Sequence, residues 1–144
     1  MSKTIGEIIT TKGTEVHCIE LDATVYQALE IMATNNVGAL VVKRNGAIVG
    51  IISERDFSRK VALLDRTPKS TTVETIMTTD ICYITPEKTV EDGLAVMTEK
   101  RCRHLPVFDV GEMIGVVSIG DLVKAQVEEK ELIISQLENY IKGG

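Results

Sequence analysis

Two short runs in this chain carry the same polar set: Gly50-Ile51-Ile52-Ser53-Glu54-Arg55-Asp56 and Gly115-Val116-Val117-Ser118-Ile119-Gly120-Asp121. In each, an apolar run leads to a serine, with an aspartate three residues on. A serine where a strand becomes a helix caps free backbone N–H groups, and the helix dipole favours a first-turn aspartate. That structural role suits both pairs. The carboxylate is also a good acceptor pair for vicinal hydroxyls, and free N–H groups at a helix start suit an anion. Basic residues stand near: Arg55 inside the first run, and Arg103-His104 just ahead of Leu105-Pro106-Val107. A carboxylate for a diol, a cation for a phosphate and aliphatic walls for a base are what a ribose-plus-phosphate ligand requires. The structural alternatives are a solvated surface position for Arg103 and a hydrogen-bonded place at a helix–strand junction for His104.

The elements that must hold these residues are duplicated. Val16 to Lys60 returns as Ile81 to Ala125, 65 positions on and without a gap. Gly46, Gly50, Ser53 and Asp56 fall on Gly111, Gly115, Ser118 and Asp121; Thr24, Val25, Leu29 and Met32 fall on Thr89, Val90, Leu94 and Met97. Matching glycines with matching apolar positions imply two copies of one supersecondary unit, hence a pseudo-twofold body with paired crevices. Each copy reads strand, helix, strand, strand, helix. Val16 to Glu20 is a short strand, Asp22 or Thr24 offers an N-cap, and Val25, Ala28, Leu29, Ile31 and Met32 form a helical stripe. Asn35 and Asn36 stop that helix. Ala39 to Val42 and Ile48 to Ile52 are strands joined through Asn45-Gly46, a strong hairpin signal. A helix then opens at Ser53 and runs through Phe57, Val61 and Leu64. The second copy predicts strands at Ile81 to Ile84, Leu105 to Phe108 and Met113 to Val117, with helices from Val90 to about Lys100 and from Ser118. Strands apolar throughout imply a sheet covered on both faces.

Short helical leaders, Ile5, Ile8 and Ile9 and then Val73, Ile76 and Met77, precede the copies at an offset of 68, so the first copy has three extra residues near Lys12-Gly13-Thr14. The organisation expected is 1–64 for the first unit with its leader, 65–72 for a linker, 73–126 for the second unit with its leader, and 127–144 for a helical extension. In that extension Ile133, Ile134, Leu137 and Ile141 form an apolar stripe that either packs on its own domain or meets a partner.

Composition excludes several classes. With 144 residues, 44% of them hydrophobic, and with Phe57, Phe108, Tyr26, Tyr83 and Tyr140 as the aromatics, the core is aliphatic. A net charge of −5 argues against nucleic acid as a partner. No apolar run nears the ~20 residues of a membrane span, and the start lacks an apolar signal core, so cytoplasm is expected. Cys18, Cys82 and Cys102 show no CxxC or zinc spacing and read as reduced, buried thiols; no metal is expected. No Ser-His-acid set or Gly-rich phosphate loop is present, and His17 and His104 have no evident nucleophile beside them, so no catalysis is expected.

The two Gly-x-x-Ser-x-x-Asp turns, the leaders Ile8-Ile9-Thr10 and Ile76-Met77-Thr78, and Arg103-His104-Leu105-Pro106-Val107 together resemble the cystathionine-β-synthase (CBS) domain. The whole chain is similar to a stand-alone CBS pair, or Bateman module, of the bacterial and plant-organelle type. The resemblance implies an α/β (α+β) fold of two tandem β-α-β-β-α units with an extended C-terminal helix. It also implies adenosyl-ligand binding (AMP, ADP, ATP, NAD(H) or S-adenosylmethionine) in two crevices, by a homodimer that regulates an unidentified protein. Carried over by position, the first crevice uses Ser53, Arg55 and Asp56 with Thr78, Cys82, Arg103 and His104. The second uses Ser118, Gly120 and Asp121 with Lys12, His17, Val37 and Gly38. Gly38-Ala39 stands where the first has Arg103-His104, and Gly120 where it has Arg55, so the first is expected to bind phosphate better. The alternative function is a protein-interaction or redox-regulatory module, similar to thioredoxin-regulating plant proteins and little dependent on nucleotide.

Overall fold

The structure is a computed structural model that describes residues 3–13 and 15–143; Thr14 of the expected turn lies outside the described residues. Thr24 starts the first long helix by accepting a hydrogen bond from the Gln27 N–H while Gln27 Oε1 accepts one from the Thr24 N–H. Thr89 and Asp92 repeat that capping box in the second copy, and each such cap stabilises its helix by about 1 kcal/mol. Asn36 and Arg101 end these helices in the left-handed region.

The element order is α1 (Ile5–Lys12), β1 (Cys18–Glu20), α2 (Val25–Asn35), β2 (Ala39–Arg44), β3 (Ala47–Ser53), α3 (Glu54–Phe57), α4 (Val73–Ile76), α5 (Val90–Lys100), β4 (His104–Asp109), β5 (Glu112–Ser118) and α6 (Ile119–Gly143). A π-helical turn, Ser58–Ala62, follows α3 where one continuous helix was expected, and Pro68–Ser70 makes a 3-10 turn in the linker.

The chain divides into two compact units, each an α/β body. In the unit Val16–Ile81, β1 pairs parallel with β2, and β2 antiparallel with β3. Its core holds Val25, Met32, Leu40, Val42 and Ile52, with Val73 and Ile76 of α4. The other unit takes the chain from Cys82 onward, with β4 antiparallel to β5. There the counterparts Val90, Met97, Leu105, Val107 and Val117 pack with Ile5, Ile8 and Ile9 of α1.

The leaders are therefore exchanged relative to sequence order. Helix α1, grouped by sequence with residues 1–64, belongs to the unit of the second repeat, and α4, grouped with 73–126, belongs to the unit of the first. Thr4 bridges to Thr89, and the Ile5 N–H donates to the Lys88 carbonyl at 2.8 Å. Thr72 bridges to Thr24 in the same manner, and the Val73 N–H donates to the Ala23 carbonyl at 2.8 Å. Both repeats offer the same docking edge, a threonine N-cap beside an apolar helix start, so repeat sequence alone does not choose between them.

The first strand of the second repeat is shorter than expected. Only Ile84 bridges, to Val107, in place of the three-residue pairing of β1. The cause is Pro106. In the first repeat the Val41 N–H donates to the His17 carbonyl at 3.0 Å; Pro106 stands at the matching position and has no N–H to give to Cys82.

The hairpins also carry a contrast. Asn45 and Gly46 adopt φ of 51° and 82°, as the expected turn needs. Val110 and Gly111 adopt 50° and 78°, although a β-branched residue at positive φ is strained. At 96% exposure, Val110 gains nothing from packing that would offset the strain. Val110→Asn is expected to raise stability by about 1 kcal/mol, or about 4 °C in a thermal melt; a lowered melting temperature would contradict this account.

The motif glycines serve close approach. A Cβ on Gly50 would lie 2.8 Å from the Thr78 carbonyl oxygen, whereas one on Gly115 would meet the tip of the Ile9 side chain at 2.6 Å. Backbone cannot yield as a side-chain terminus can. Gly50→Ala is expected to cost roughly 1–3 kcal/mol, and Gly115→Ala less, in urea unfolding; the reverse order would sink this explanation.

Candidate functional site

Ser53 ends β3 with extended backbone, and α3 begins at the next residue. Its Oγ accepts the Asp56 N–H at 3.3 Å, and Asp56 Oδ2 accepts the Ser53 N–H at 2.9 Å and the Ser53 hydroxyl at 3.1 Å. One carboxylate oxygen is thus held by the cap. The other, Oδ1, accepts from Thr78 Oγ1 at 3.4 Å and pairs with Lys60 Nζ at 3.2 Å. Lys60 Nζ also donates to the Ile76 carbonyl at 3.0 Å, tying the π-helical turn to α4. The Glu54 N–H at the helix start donates to the Gly38 carbonyl at 3.0 Å. This unit therefore gathers Ser53, Asp56, Thr78 and Gly38; Arg55 sits half-buried on α3, and Val37 packs at the edge of the core. His17 lies on the run into β1, its carbonyl accepting from Val41.

The other unit repeats the turn with a different cation. Asp121 Oδ2 accepts the Ser118 N–H at 2.8 Å, and Ser118 Oγ accepts the Asp121 N–H at 3.1 Å. Lys12, at the end of α1, places Nζ 2.6 Å from Asp121 Oδ2 and 2.9 Å from the Val116 carbonyl oxygen. The Ile119 N–H donates to the Arg103 carbonyl at 2.8 Å, the counterpart of Glu54 to Gly38, and His104 is in register with Ser118. Arg103 is exposed and His104 half-buried. A Cβ on Gly120 would meet only Ser118 Oγ, at 3.6 Å, so the lack of a side chain there is not forced by crowding.

Cys82 and Cys102 both pack against this unit's core. Burial, then the neighbouring Cys82, pushes the Cys102 thiol up to about 11. At neutral pH it is a thiol and not the reactive thiolate. Among the described residues no cluster of three or more His, Cys, Asp or Glu is placed to hold a metal.

Each unit thus assembles a Ser–Asp turn countered by a lysine. Thr78 and Lys12 meet the aspartates of their own units. The grouping of Cys82, Arg103 and His104 with Asp56, and of His17, Val37 and Gly38 with Asp121, joins residues carried by different units. Sequence reasoning missed Lys60, although its place four residues after Asp56 on a helix was a usable signal.

The chain belongs to the CBS domain family, whose model matches residues 5–63 and again 73–128. It is similar to the mitochondrial CBS domain-containing protein CBSX3 of Arabidopsis thaliana, at 43% identity over 99% of this chain and 74% of that one. A solved CBS-domain crystal structure is 46% identical with a TM-score of 0.83, covering 88% of this chain and 99% of that one. Another, of a protein with CBS domains from Burkholderia ambifaria, is 41% identical with a TM-score of 0.84, covering 88% and 95%. CBS-domain proteins are regulatory and sensor modules, and CBS domains generally bind adenosine-containing ligands. Among the described residues no helix is long and apolar enough to cross a membrane. Cytoplasm was expected, whereas the Arabidopsis relative is mitochondrial.

Burial alone would raise the Asp121 carboxyl, but the Lys12 and Ser118 hydrogen bonds and the Lys12 charge outweigh it and hold the group below its ordinary value of 3.8. A depressed carboxyl adds stability that is present above its unfolded pKa and is lost as pH falls through the folded one. Lys12→Met is therefore expected to melt lower than the parent at neutral pH, with the gap closing once pH drops below about 3.8. Melting curves from neutral to strongly acid pH test this; a gap constant with pH would rule it out.

Proposed function

We propose that the chain is a non-catalytic adenine-nucleotide sensor, acting in the cytoplasm as a homodimer on a regulated partner protein. The observation that carries the reading is the Asp56 carboxylate: one oxygen held by the serine cap, the other turned toward Thr78 and Lys60. Such an oxygen can accept from ribose hydroxyls, and Lys60 can leave it for the phosphate of the incoming nucleotide. In this reading Asp56, Ser53 and Thr78 read the ribose, Arg55, Arg103 and His104 supply charge for phosphate, and Cys82 lines the base. This grouping follows the family resemblance. The Asp121 set, with Ser118, Gly120, Lys12, His17, Val37 and Gly38, is the weaker one, because Gly38-Ala39 and Gly120 stand where the Asp56 set has Arg103-His104 and Arg55.

The ligand is AMP, ATP or NAD(H), and it biases the module only by its differential affinity for two states of the protein. A second reading, partner regulation without nucleotide, is favoured by the exposed apolar face of α6. Its redox variant would act through Cys82 or Cys102, of which burial holds Cys102 as the thiol at neutral pH.

Calorimetry with AMP, ATP, NADH and S-adenosylmethionine distinguishes these. Saturable binding is expected for at least one ligand. Asp56→Asn, which keeps an acceptor for the cap, is expected to weaken it by roughly 10- to 100-fold, the worth of a hydrogen bond to a charged group. Absence of binding below millimolar concentration, or Asp56→Asn binding as the parent does, defeats the nucleotide reading.

A further inference from the structure

Helix α6 leaves its own unit after two turns. Leu122 and Ala125 are its buried residues, and from Lys130 to Gly143 every position is exposed. That stretch is not polar: Ile134, Leu137 and Ile141 are 55%, 56% and 80% exposed, and Val123 and Val127 precede them. A run of large apolar side chains in water marks a contact surface.

The spacing defines what it fits. Val127, Ile134 and Ile141 recur every seven residues, and Val123, Lys130 and Leu137 do likewise, offset by four. These are the a and d positions of a heptad seam, β-branched at a with leucine at one d, about 27 Å long at 1.5 Å per residue. A seam of this kind takes another helix.

Charge selects the occupant and its direction. A surface that pairs with itself must be self-complementary about a twofold axis. With a second α6 running antiparallel and the axis near Leu132, Val123 layers on the partner's Ile141, Val127 on the partner's Leu137, and Lys130 on the partner's Ile134. That register brings Lys124 beside the partner's Glu138, and by symmetry the same pair forms twice. A parallel pair would stack Lys130 on the partner's Lys130 at a core position and leave Glu138 facing an isoleucine. The antiparallel register has one repulsive meeting at the axis, Glu131 with the partner's Glu131, and Lys130 of each chain lies next to it. We propose that residues 123–141 of α6 form an antiparallel two-helix coiled coil with the same segment of a second copy of this chain. It gives the homodimer a surface and does not depend on nucleotide, so a chain that fails every calorimetric trial can still satisfy it.

The test uses the full chain in analytical ultracentrifugation at micromolar concentration. A dimer is expected. Ile134→Lys with Leu137→Lys is expected to give a monomer whose main melting transition is unchanged, since both positions are exposed. Lys124→Glu and Glu138→Lys are each expected to weaken the dimer by roughly three- to thirtyfold, two copies of an exposed charge pair. The double variant Lys124→Glu, Glu138→Lys is expected to restore it. A monomeric parent, a dimer indifferent to the two lysines in the seam, or a charge swap that fails to restore association would each overturn the proposal.

Discussion

The reciprocal bond between a serine and the aspartate three residues on is the constraint around which each unit is arranged. At Ser53–Asp56 and again at Ser118–Asp121, the strand gives its last N–H to the carboxylate and the serine hydroxyl takes the N–H of the aspartate. This closes a strand-to-helix turn that would otherwise leave backbone donors unsatisfied. It also holds an anionic side chain in one orientation at the edge of the sheet. The same atoms that make the turn stable thereby fix the carboxylate that, in the proposed reading, meets the ribose.

A largely buried carboxylate attracts a cation, and the two units supply it differently. Lys60 comes from one turn further along the same helical segment and is tied to the Ile76 carbonyl. Lys12 comes from the exchanged leader and is tied to the Val116 carbonyl. Each lysine therefore links the aspartate to the leader or to the strand beside it. Any diol that reaches Asp56 or Asp121 competes with a lysine. A ligand that carries phosphate gives that lysine a new partner, whereas a bare nucleoside does not.

Much of the body was legible before the fold was known, because its signals are local. Thr24 caps α2, Asn36 ends it in the left-handed region, Asn45-Gly46 turns the hairpin, and Val25, Met32 and Leu40 fill the core beside their counterparts 65 residues on. Val110 shows the limit of local reasoning: it turns as Asn45 does against its own preference, because the paired strands on either side impose the geometry. The Pro106 effect was readable in principle, since the missing N–H is a property of the residue. It needed the knowledge that the Val41 N–H points at the first strand and not at β3. Lys60 was readable too, since it stands four residues after Asp56 on an expected helix, and the pair forms although the chain makes a π-helical turn there.

Residue types and spacing were sufficient for the two-copy architecture, the family and the Ser–Asp turns, because repetition preserves both turn chemistry and the apolar face. They could not assign the leaders, since Thr4 and Thr72 carry the same docking chemistry and both repeats offer a matching edge at Thr24 and Thr89; packing in three dimensions pairs each leader with the other repeat's unit. Spacing alone could not pair Lys12 with Asp121, which are far apart along the chain; the family resemblance grouped them, and they meet through that exchange. The apolar stripe of the last helix was visible as a pattern. That its own unit leaves the stripe exposed is a fact of where the core ends, at Leu122 and Ala125, and no periodicity contains it.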